Sequence, residues 1–220
     1  MHRSLTRDEI AKRVANDIPD GAYVNLGIGL PVLVANFLPS DREVVLQSEN
    51  GILGMGPTPP ENEIDLELVN AGKQPVTLVT GGAYFHHADS FAMMRGGHLD
   101  IAILGGFQVS ATGDLANWSL GKPGVAPAVG GAMDLAVGAK SLFIMMEHNM
   151  KDGGAKIVER CTYPLTGIGV VARIYTDIAV IDVTPQGLLV TDWVAGMTRE
   201  TLQSRTQAKL AFAASPRALN

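Results

Sequence analysis

Short runs of apolar residues recur along the chain, and most of them end near a glycine. They occupy residues 22–26, 43–47, 76–79, 99–104 and 141–146. Runs of this length with little polar alternation are typical of strands covered on both faces. Before the first of these runs, apolar residues recur at the spacing of a helix. Thr6 and Glu9 fit a capping box and predict a helix that ends at the turn of residues 19–21.

The order of these elements predicts an α/β fold. Strands alternate with helices, which are also expected at residues 32–37 and 88–95, and this favours an open, mostly parallel sheet with helices on both faces. Strand-like segments joined by short turns between residues 169 and 191 predict a C-terminal antiparallel addition. A last helix is expected from Thr198 to about residue 208, then a loose tail from residue 213. With no linker or repeat, we expect one domain over residues 1–220.

Composition and charge exclude several classes of protein. The chain has 220 residues, of which 46% are hydrophobic and 18% charged, so it can bury a core without a metal or disulfide. A net charge of -5 without a basic run argues against nucleic acid as a partner. The single cysteine, Cys161, indicates a reducing compartment. No segment is typical of a signal peptide or a membrane span, so we expect a cytoplasmic protein.

One strand is predicted to end at an acid. The run at residues 43–47 leads into Ser48-Glu49-Asn50-Gly51, and reactive groups in open α/β sheets tend to lie just past the carboxyl ends of strands. Spacing alone leaves two interpretations of Glu49 open: a solvated acid at a strand end, or a carboxylate that a substrate and backbone N–H groups can approach.

A series of motifs in a fixed order resembles the β half of the family I CoA-transferases over nearly the whole chain. The segment centred on Glu49 resembles the active-site signature of that family. The matching segments are residues 24–29, 46–54, 70–73, 90–98, 113–118, 130–135 and 161–167. The segments at 86–89 and 127–131 favour the branch that transfers CoA from succinyl-CoA to 3-oxoadipate. The loop after Trp118 departs from the keto-acid pattern, so acetoacetate or another 3-oxo acid stays open as the acceptor.

The resemblance implies covalent catalysis by Glu49, which would form a thioester with coenzyme A. Two alternatives stay open: a sugar-phosphate isomerase on a related α/β fold with Glu49 as the general base, and a subunit that binds acyl-CoA without catalysis. The resemblance implies that the backbone N–H groups of Gly131 and Ala132 stabilise the oxyanion, and that Asn25 helps to hold the substrate. Asn50 and Gly51 are expected to bind substrate beside the glutamate. Lys73 and Arg95, which lie in matching segments, are the candidate cations for the phosphates and carboxylates of the substrates.

The resemblance also implies a partner, because the active site of the family lies between two halves and this chain matches one. We expect a separate α subunit in an αβ or α2β2 assembly. Coenzyme A is expected as a cosubstrate, with no permanently bound cofactor. A metal site is not expected, since the adjacent His86 and His87 point apart on regular elements. A nicotinamide site is not expected either, because Val32 stands where a dinucleotide motif has its third glycine.

Overall fold

The first helix begins at the predicted capping box. A computed structural model describes residues 3–121, 124 and 129–219, and in it α1 spans Arg7–Asp17. The Thr6 hydroxyl accepts a bond from the Glu9 N–H at 3.3 Å, and the Glu9 carboxylate accepts one from the Thr6 N–H at 2.7 Å. Two backbone donors at the start of the helix are thereby satisfied, which fixes where the helix begins. The buried face of α1 packs against a 3₁₀ helix at Leu30–Phe37.

A ten-stranded sheet forms the centre of the molecule. The strand bounds are β1 Tyr23–Leu26, β2 Val45–Ser48, β3 Ile52–Met55, β4 Leu78–Tyr84, β5 Ile101–Leu104, β8 Ser141–Met145, β10 Val171–Tyr175, β11 Ala179–Thr184, β12 Gly187–Val194 and β13 Leu210–Leu219. Their order across the sheet is β13-β12-β11-β10-β8-β5-β1-β2-β3-β4. The middle strands β10, β8, β5, β1 and β2 are parallel, as predicted for the apolar runs. Strands β5 and β8 are almost completely buried.

The chain changes direction across the sheet between β1 and β5. From β1 it moves to β2 on one side, and from β4 it returns through α2 (His87–Arg95) to β5 on the other side of β1. It then continues through α3 (Ala132–Gly138) to β8. Because such crossovers are right-handed, α2 and α3 share one face, opposite the 3₁₀ helix. The carboxyl ends of β1 and β5 thus form a topological switch point, where open sheets have their crevice.

The C-terminal antiparallel addition is confirmed. Strands β10, β11 and β12 form an antiparallel meander on the edge of the parallel strands. The tail from residue 213 was expected to be loose, and this was wrong, because β13 pairs in parallel with β12 as far as Leu219. The last helix, α4 at Arg199–Ser204, begins after the predicted Thr198 cap but ends earlier than expected. A small second sheet contains β6 Gln108–Ser110, β7 Leu115–Ala116 and β9 Ile157–Val158.

The strand expected at residues 76–79 begins at Leu78 and continues through Gly81 and Gly82. Strand β4 reaches Tyr84 and pairs with β3, which extends the sheet beyond β2 with two antiparallel strands. A methyl group at Gly54 of β3 would lie 2.9 Å from the Gly82 Cα, so the glycines allow the two backbones to approach closely. No helix in the described part of the chain has the length and apolar character needed to span a bilayer.

Candidate active site

Glu49 lies at the tip of the hairpin between β2 and β3. The Gly51 N–H donates to the Ser48 carbonyl at 3.0 Å, which closes a tight turn around Glu49 and Asn50. Gly51 has a φ of 109°, and a methyl group there would overlap with the Phe85 carbonyl oxygen. Only glycine fits this position without strain. The turn therefore holds Glu49 just past the carboxyl end of a parallel strand.

A second loop, at residues 69–74, is fastened to the Glu49 turn. The Asn50 side chain donates to the Val69 carbonyl at 2.8 Å, and the Ala71 N–H donates to the Ser48 hydroxyl at 3.1 Å. Asn50 and Gly51, both predicted to bind substrate, thus shape and anchor the turn in this structure. Whether they also touch substrate stays a prediction.

The carboxylate of Glu49 lies directly against Gly131, the N-cap residue of α3. A methyl group at Gly131 would overlap with Glu49 Oε2 and would lie 3.1 Å from Glu49 Cδ and 3.3 Å from the Phe91 ring. Two segments that the sequence singled out separately are therefore in contact across the end of the sheet. The missing side chain of Gly131 leaves the space that the carboxylate occupies.

Glu49 is half-buried, and no described residue forms a hydrogen bond or ion pair with its carboxylate. Burial raises the pKa of Glu49 above its ordinary value, because the charged form loses hydration. The charge of His87 acts in the opposite direction, and the negative charge of Asp134 adds to the rise in the pKa. An acid in this state is a poorly solvated anion when ionised, which suits a group that must react with a bound electrophile.

Asn25 is held in place by a buried row of polar side chains. Its amide nitrogen donates to the backbone and side-chain carbonyl oxygens of Gln47, its neighbour on β2. The Gln47 amide nitrogen donates in turn to the Ser90 hydroxyl on α2 at 2.6 Å. Because these donations consume the Asn25 amide nitrogen, its carbonyl oxygen is the end left for a ligand.

One cavity of about 540 Å³ brings four of the predicted residues together. Its wall contains Asn25, Glu49, Gly131 and Ala132, and it extends across the carboxyl ends of β1, β5 and β8. This volume is in the range of sites for small molecules and cofactors. The Ala132 N–H donates to the Val129 carbonyl at 3.1 Å, whereas the Gly131 N–H has no acceptor among the described residues.

The two predicted cations do not line this cavity. Lys73 is exposed in a left-handed turn with a φ of 61°. Arg95, at the end of α2, forms an ion pair with Asp134 at 2.6 Å and stacks over the Phe91 ring at 5.7 Å. Their contact with substrate stays a prediction.

The comparisons with known proteins are decisive for the family. The sequence model of the coenzyme A transferase family matches residues 7–202, which is most of the chain. The chain belongs to the coenzyme A transferase family. The resemblance based on the motifs is thereby confirmed, and with it an enzyme of the CoA-transferase class, for which coenzyme A is a cosubstrate. Of the branch-specific segment at 127–131, Pro127 and Ala128 lie outside the described residues, as do Lys122 and Pro123 in the loop after Trp118.

Two bacterial relatives match over almost their full lengths. The β subunit of 3-oxoadipate CoA-transferase from Pseudomonas putida is 64% identical over 201 residues, which cover 91% of this chain and 94% of that protein. A Bacillus subtilis protein named as the β subunit of a probable succinyl-CoA:3-ketoacid coenzyme A transferase is 50% identical over 215 residues, or 97% and 98% of the two chains.

A solved structure confirms the α/β fold of this transferase chain. The acyl-CoA transferase YdiF of Escherichia coli O157:H7 superposes with a TM-score of 0.76 at 18% identity. The match covers 97% of this chain and 43% of that protein, so this chain spans about two fifths of its length. At this identity the likeness shows the fold alone.

Several residues of the site in this transferase chain were not predicted from the sequence. Gln47 and Ser90 support Asn25, and a polar residue within an apolar strand run was the available signal for Gln47. Among the described residues, three cations line the cavity, and none of them was predicted: Arg7, Lys151 and Lys156. The strand-end rule that selected Glu49 would have pointed to the segment after β8, which carries both lysines.

Proposed function

We propose that this chain is the β subunit of a transferase that moves coenzyme A from succinyl-CoA to 3-oxoadipate through a thioester at Glu49. The observation that carries the proposal is the position of the Glu49 carboxylate, which faces Gly131 in the cavity without a partner among the described residues. The 64% identity to the corresponding subunit of the Pseudomonas putida enzyme supports the choice of acceptor.

The proposed reaction begins when the ionised Glu49 carboxylate attacks the thioester carbonyl of succinyl-CoA. The carbon–sulfur bond breaks, which gives a mixed anhydride and the thiolate of coenzyme A. The thiolate then attacks the glutamyl carbonyl, succinate leaves as a carboxylate, and a glutamyl-CoA thioester remains. The carboxylate of 3-oxoadipate repeats these steps in reverse and regenerates Glu49. No general base is needed, because the nucleophile is the ionised carboxylate itself.

The Gly131 N–H is the proposed main donor to the oxyanion that forms in each step. Gly131 lies beside Glu49, and its N–H has no acceptor among the described residues. Ala132 is the proposed second donor, and its bond to the Val129 carbonyl must lengthen or be shared for this role. Donors fixed in place before the reaction lower the barrier because they do not have to reorient.

Asn25 is proposed to orient the carbonyl or carboxylate of the acyl group beside Glu49. It is 2% exposed and lies at the register position next to Gln47, so its side chain is held rigidly at the cavity wall. Asn50 and Gly51 are proposed to act through the shape of the turn. Lys73 and Arg95 remain candidates for contacts with substrate that approaches from outside the cavity.

An α subunit is proposed to complete this site in an αβ or α2β2 complex. Both bacterial relatives are named as one subunit of their transferase, which implies a partner of a different kind. The cavity is open to solvent on this chain, whereas the anhydride and thioester intermediates require protection from water. We further propose that the complex needs no permanently bound cofactor and that it acts in the cytoplasm.

The decisive experiment traps the covalent intermediate in the αβ complex. The complex is incubated with succinyl-CoA and no acceptor, reduced with borohydride, and digested for peptide mapping by mass spectrometry. We expect reduction of a glutamyl thioester to an alcohol at Glu49 and at no other acid. An unmodified Glu49 in a complex that transfers coenzyme A would overturn the proposal.

Two variants accompany the trapping experiment. Glu49→Gln should give no adduct, whereas Glu43→Gln, an exposed acid before the same strand, should give the wild-type adduct. Proton exchange into a sugar phosphate without coenzyme A would instead favour an isomerase. Unchanged turnover in the Glu49→Gln complex would favour a subunit that only binds acyl-CoA.

A further inference from the structure

The cavity contains a group of cations at the end opposite Glu49. Arg7 begins α1, and Lys151 and Lys156 follow β8, yet all three line the same cavity as the glutamate. Glu147 is the acid among them, and it approaches the Arg7 guanidinium only to 3.8 Å. Among the described residues that line this end, three cations lie beside one acid, in a chain whose net charge is -5.

The two lysines have no carboxylate partner in the part of the chain that the structure describes. Within the described residues, neither Lys151 nor Lys156 forms an ion pair or a side-chain hydrogen bond. Lys156 is half-buried, and burial lowers its pKa, while the more distant acids Glu147 and Asp177 raise it. A half-buried ammonium without a partner loses hydration and gains nothing from a fixed carboxylate, so an anionic ligand would compensate for that loss.

We propose that Arg7, Lys151 and Lys156 form an anion subsite that receives the diphosphate of coenzyme A while its sulfur is at Glu49. This inference rests on the proposed function, since it assumes an acyl-CoA bound in this cavity. The far end of the cavity would then hold the diphosphate of coenzyme A, and these three cations, rather than Lys73 and Arg95, would contact it.

The span between the two ends of the cavity favours the diphosphate over the second carboxylate of the acceptor. Glu49 follows β2, and Glu147, which lies 3.8 Å from the Arg7 guanidinium, follows β8. The order β2-β1-β5-β8 separates the ends of these two strands by three strand spacings, or about 14 Å. The pantetheine arm is a peptide-like chain that extends by ~3.6 Å for every three bonds, and it reaches roughly 15 Å from sulfur to the first phosphorus. By the same measure the two carboxyl carbons of 3-oxoadipate are only about 6 Å apart.

The test compares the kinetics of the αβ complex with and without these charges. For Lys151→Gln/Lys156→Gln we expect the KM for succinyl-CoA to rise roughly tenfold to a hundredfold, since charge-assisted bonds to phosphate are lost, with kcat within about a factor of two. The Arg7→Gln variant should show a smaller rise in this KM. The single variant Lys156→Gln should also raise the KM, whereas Lys156→Arg, which keeps the charge, should have a KM close to that of the wild type. An unchanged KM for succinyl-CoA in the double variant would overturn the inference.

Substrate analogues distinguish the two possible anions. Succinyl-pantetheine lacks the diphosphate, so its KM should be the same in the wild type and the double variant. The ratio of kcat/KM for 3-oxoadipate to kcat/KM for 3-oxohexanoate should also stay unchanged. These acceptors differ only in the second carboxylate, which the proposed subsite does not bind. A loss of that preference with an unaltered KM for succinyl-CoA would assign the subsite to the acceptor and overturn the diphosphate assignment.

Matched controls keep this test separate from the proposed function. Lys12→Gln on α1 and Lys209→Gln are exposed charge changes outside the cavity wall, and they should leave the KM unchanged. The wild-type complex must give the Glu49 adduct on trapping, because its absence overturns the proposed function first. Loss of the α subunit from the double variant on gel filtration would show that the lysines hold the partner, and would overturn the subsite.

Discussion

Two half-buried carboxylates of this chain have opposite surroundings. Asp17 ends α1 and accepts bonds from the Arg13 and Arg173 guanidinium groups and from the Tyr175 hydroxyl at 2.8 Å. Burial alone would raise the pKa of Asp17, but the bonds from Arg13 and Tyr175 outweigh it, and the pKa is lowered. Glu49 has no such donors among the described residues, and its pKa is raised.

The difference separates an acid that stabilises the fold from one that is available to a substrate. Asp17 joins α1 to β10, and its charge is compensated before any ligand arrives. The Glu49 carboxylate instead lies against the backbone of Gly131, which has no side chain. A group kept poorly solvated and unpaired is held at some loss of stability, which is reasonable only where the group reacts.

The largest effect should come from removing the Glu49 carboxylate. In the Glu49→Gln complex we expect turnover to fall by roughly 10⁴-fold or more, as for other enzymes that lose their nucleophile. The αβ complex should still assemble, because the amide has the shape of the acid. Steady-state transfer from succinyl-CoA to 3-oxoadipate measures the loss, and more than about one hundredth of wild-type turnover would contradict a nucleophilic role.

The next effect should come from filling the space beside Glu49. In Gly131→Ala the new methyl group overlaps with Glu49 Oε2 and displaces the carboxylate, so we expect turnover to fall by roughly 10² to 10³-fold. The matched control is Gly21→Ala, at a left-handed position with a φ of 75° and open space around it. It should lower the melting temperature and leave turnover unchanged. Equal turnover in both variants would show that catalysis does not depend on the contact between Gly131 and Glu49.

Asp17→Asn should have the opposite effects to Glu49→Gln: a loss of stability with little change in turnover. We expect the free energy of unfolding to fall by about 2 to 3 kcal/mol, because Arg13 and Arg173 each lose one carboxylate partner at a partly exposed site and keep only Asp192 and Asp182. Transfer at saturating substrate should remain close to wild type. Urea unfolding of the chain measures the loss, with Asp41→Asn, an exposed acid, as the control expected within about 0.5 kcal/mol. A stable Asp17→Asn variant would contradict the structural assignment of this acid.

The sequence was sufficient for the features that depend on local chemistry. The capping box at Thr6 and Glu9, the buried parallel strands and the acid at the end of β2 all follow from short-range patterns, and the structure has each of them. The contact between Glu49 and Gly131 could not be read from spacing, because it depends on α3 crossing to the same end of the sheet as β2.

The elements that were predicted wrongly are those whose state depends on a distant partner. The segment at Leu210–Leu219 has weak strand patterning and becomes a strand because the edge of β12 is available to it. The strand expected at residues 76–79 instead continues to Tyr84, because Gly82 allows β4 to approach β3 at Gly54. In both cases tertiary contact overrides a local preference.

The smallest expected effect tests whether Glu49 is held at a loss of stability. Because burial raises the pKa of Glu49, the folded chain binds that proton more tightly than the unfolded chain, and ionisation at neutral pH destabilises the fold. Glu49→Gln should therefore raise the melting temperature at pH 8 by roughly 1 to 3 °C. The gain should shrink as the pH falls through the pKa of Glu49 and vanish below its ordinary value of 4.5, where both states are protonated. Calorimetric scans across this range, with Glu43→Gln as the exposed control, measure the difference. A lower melting temperature for Glu49→Gln at pH 8 would mean that the carboxylate has stabilising partners after all, and would make it resemble Asp17.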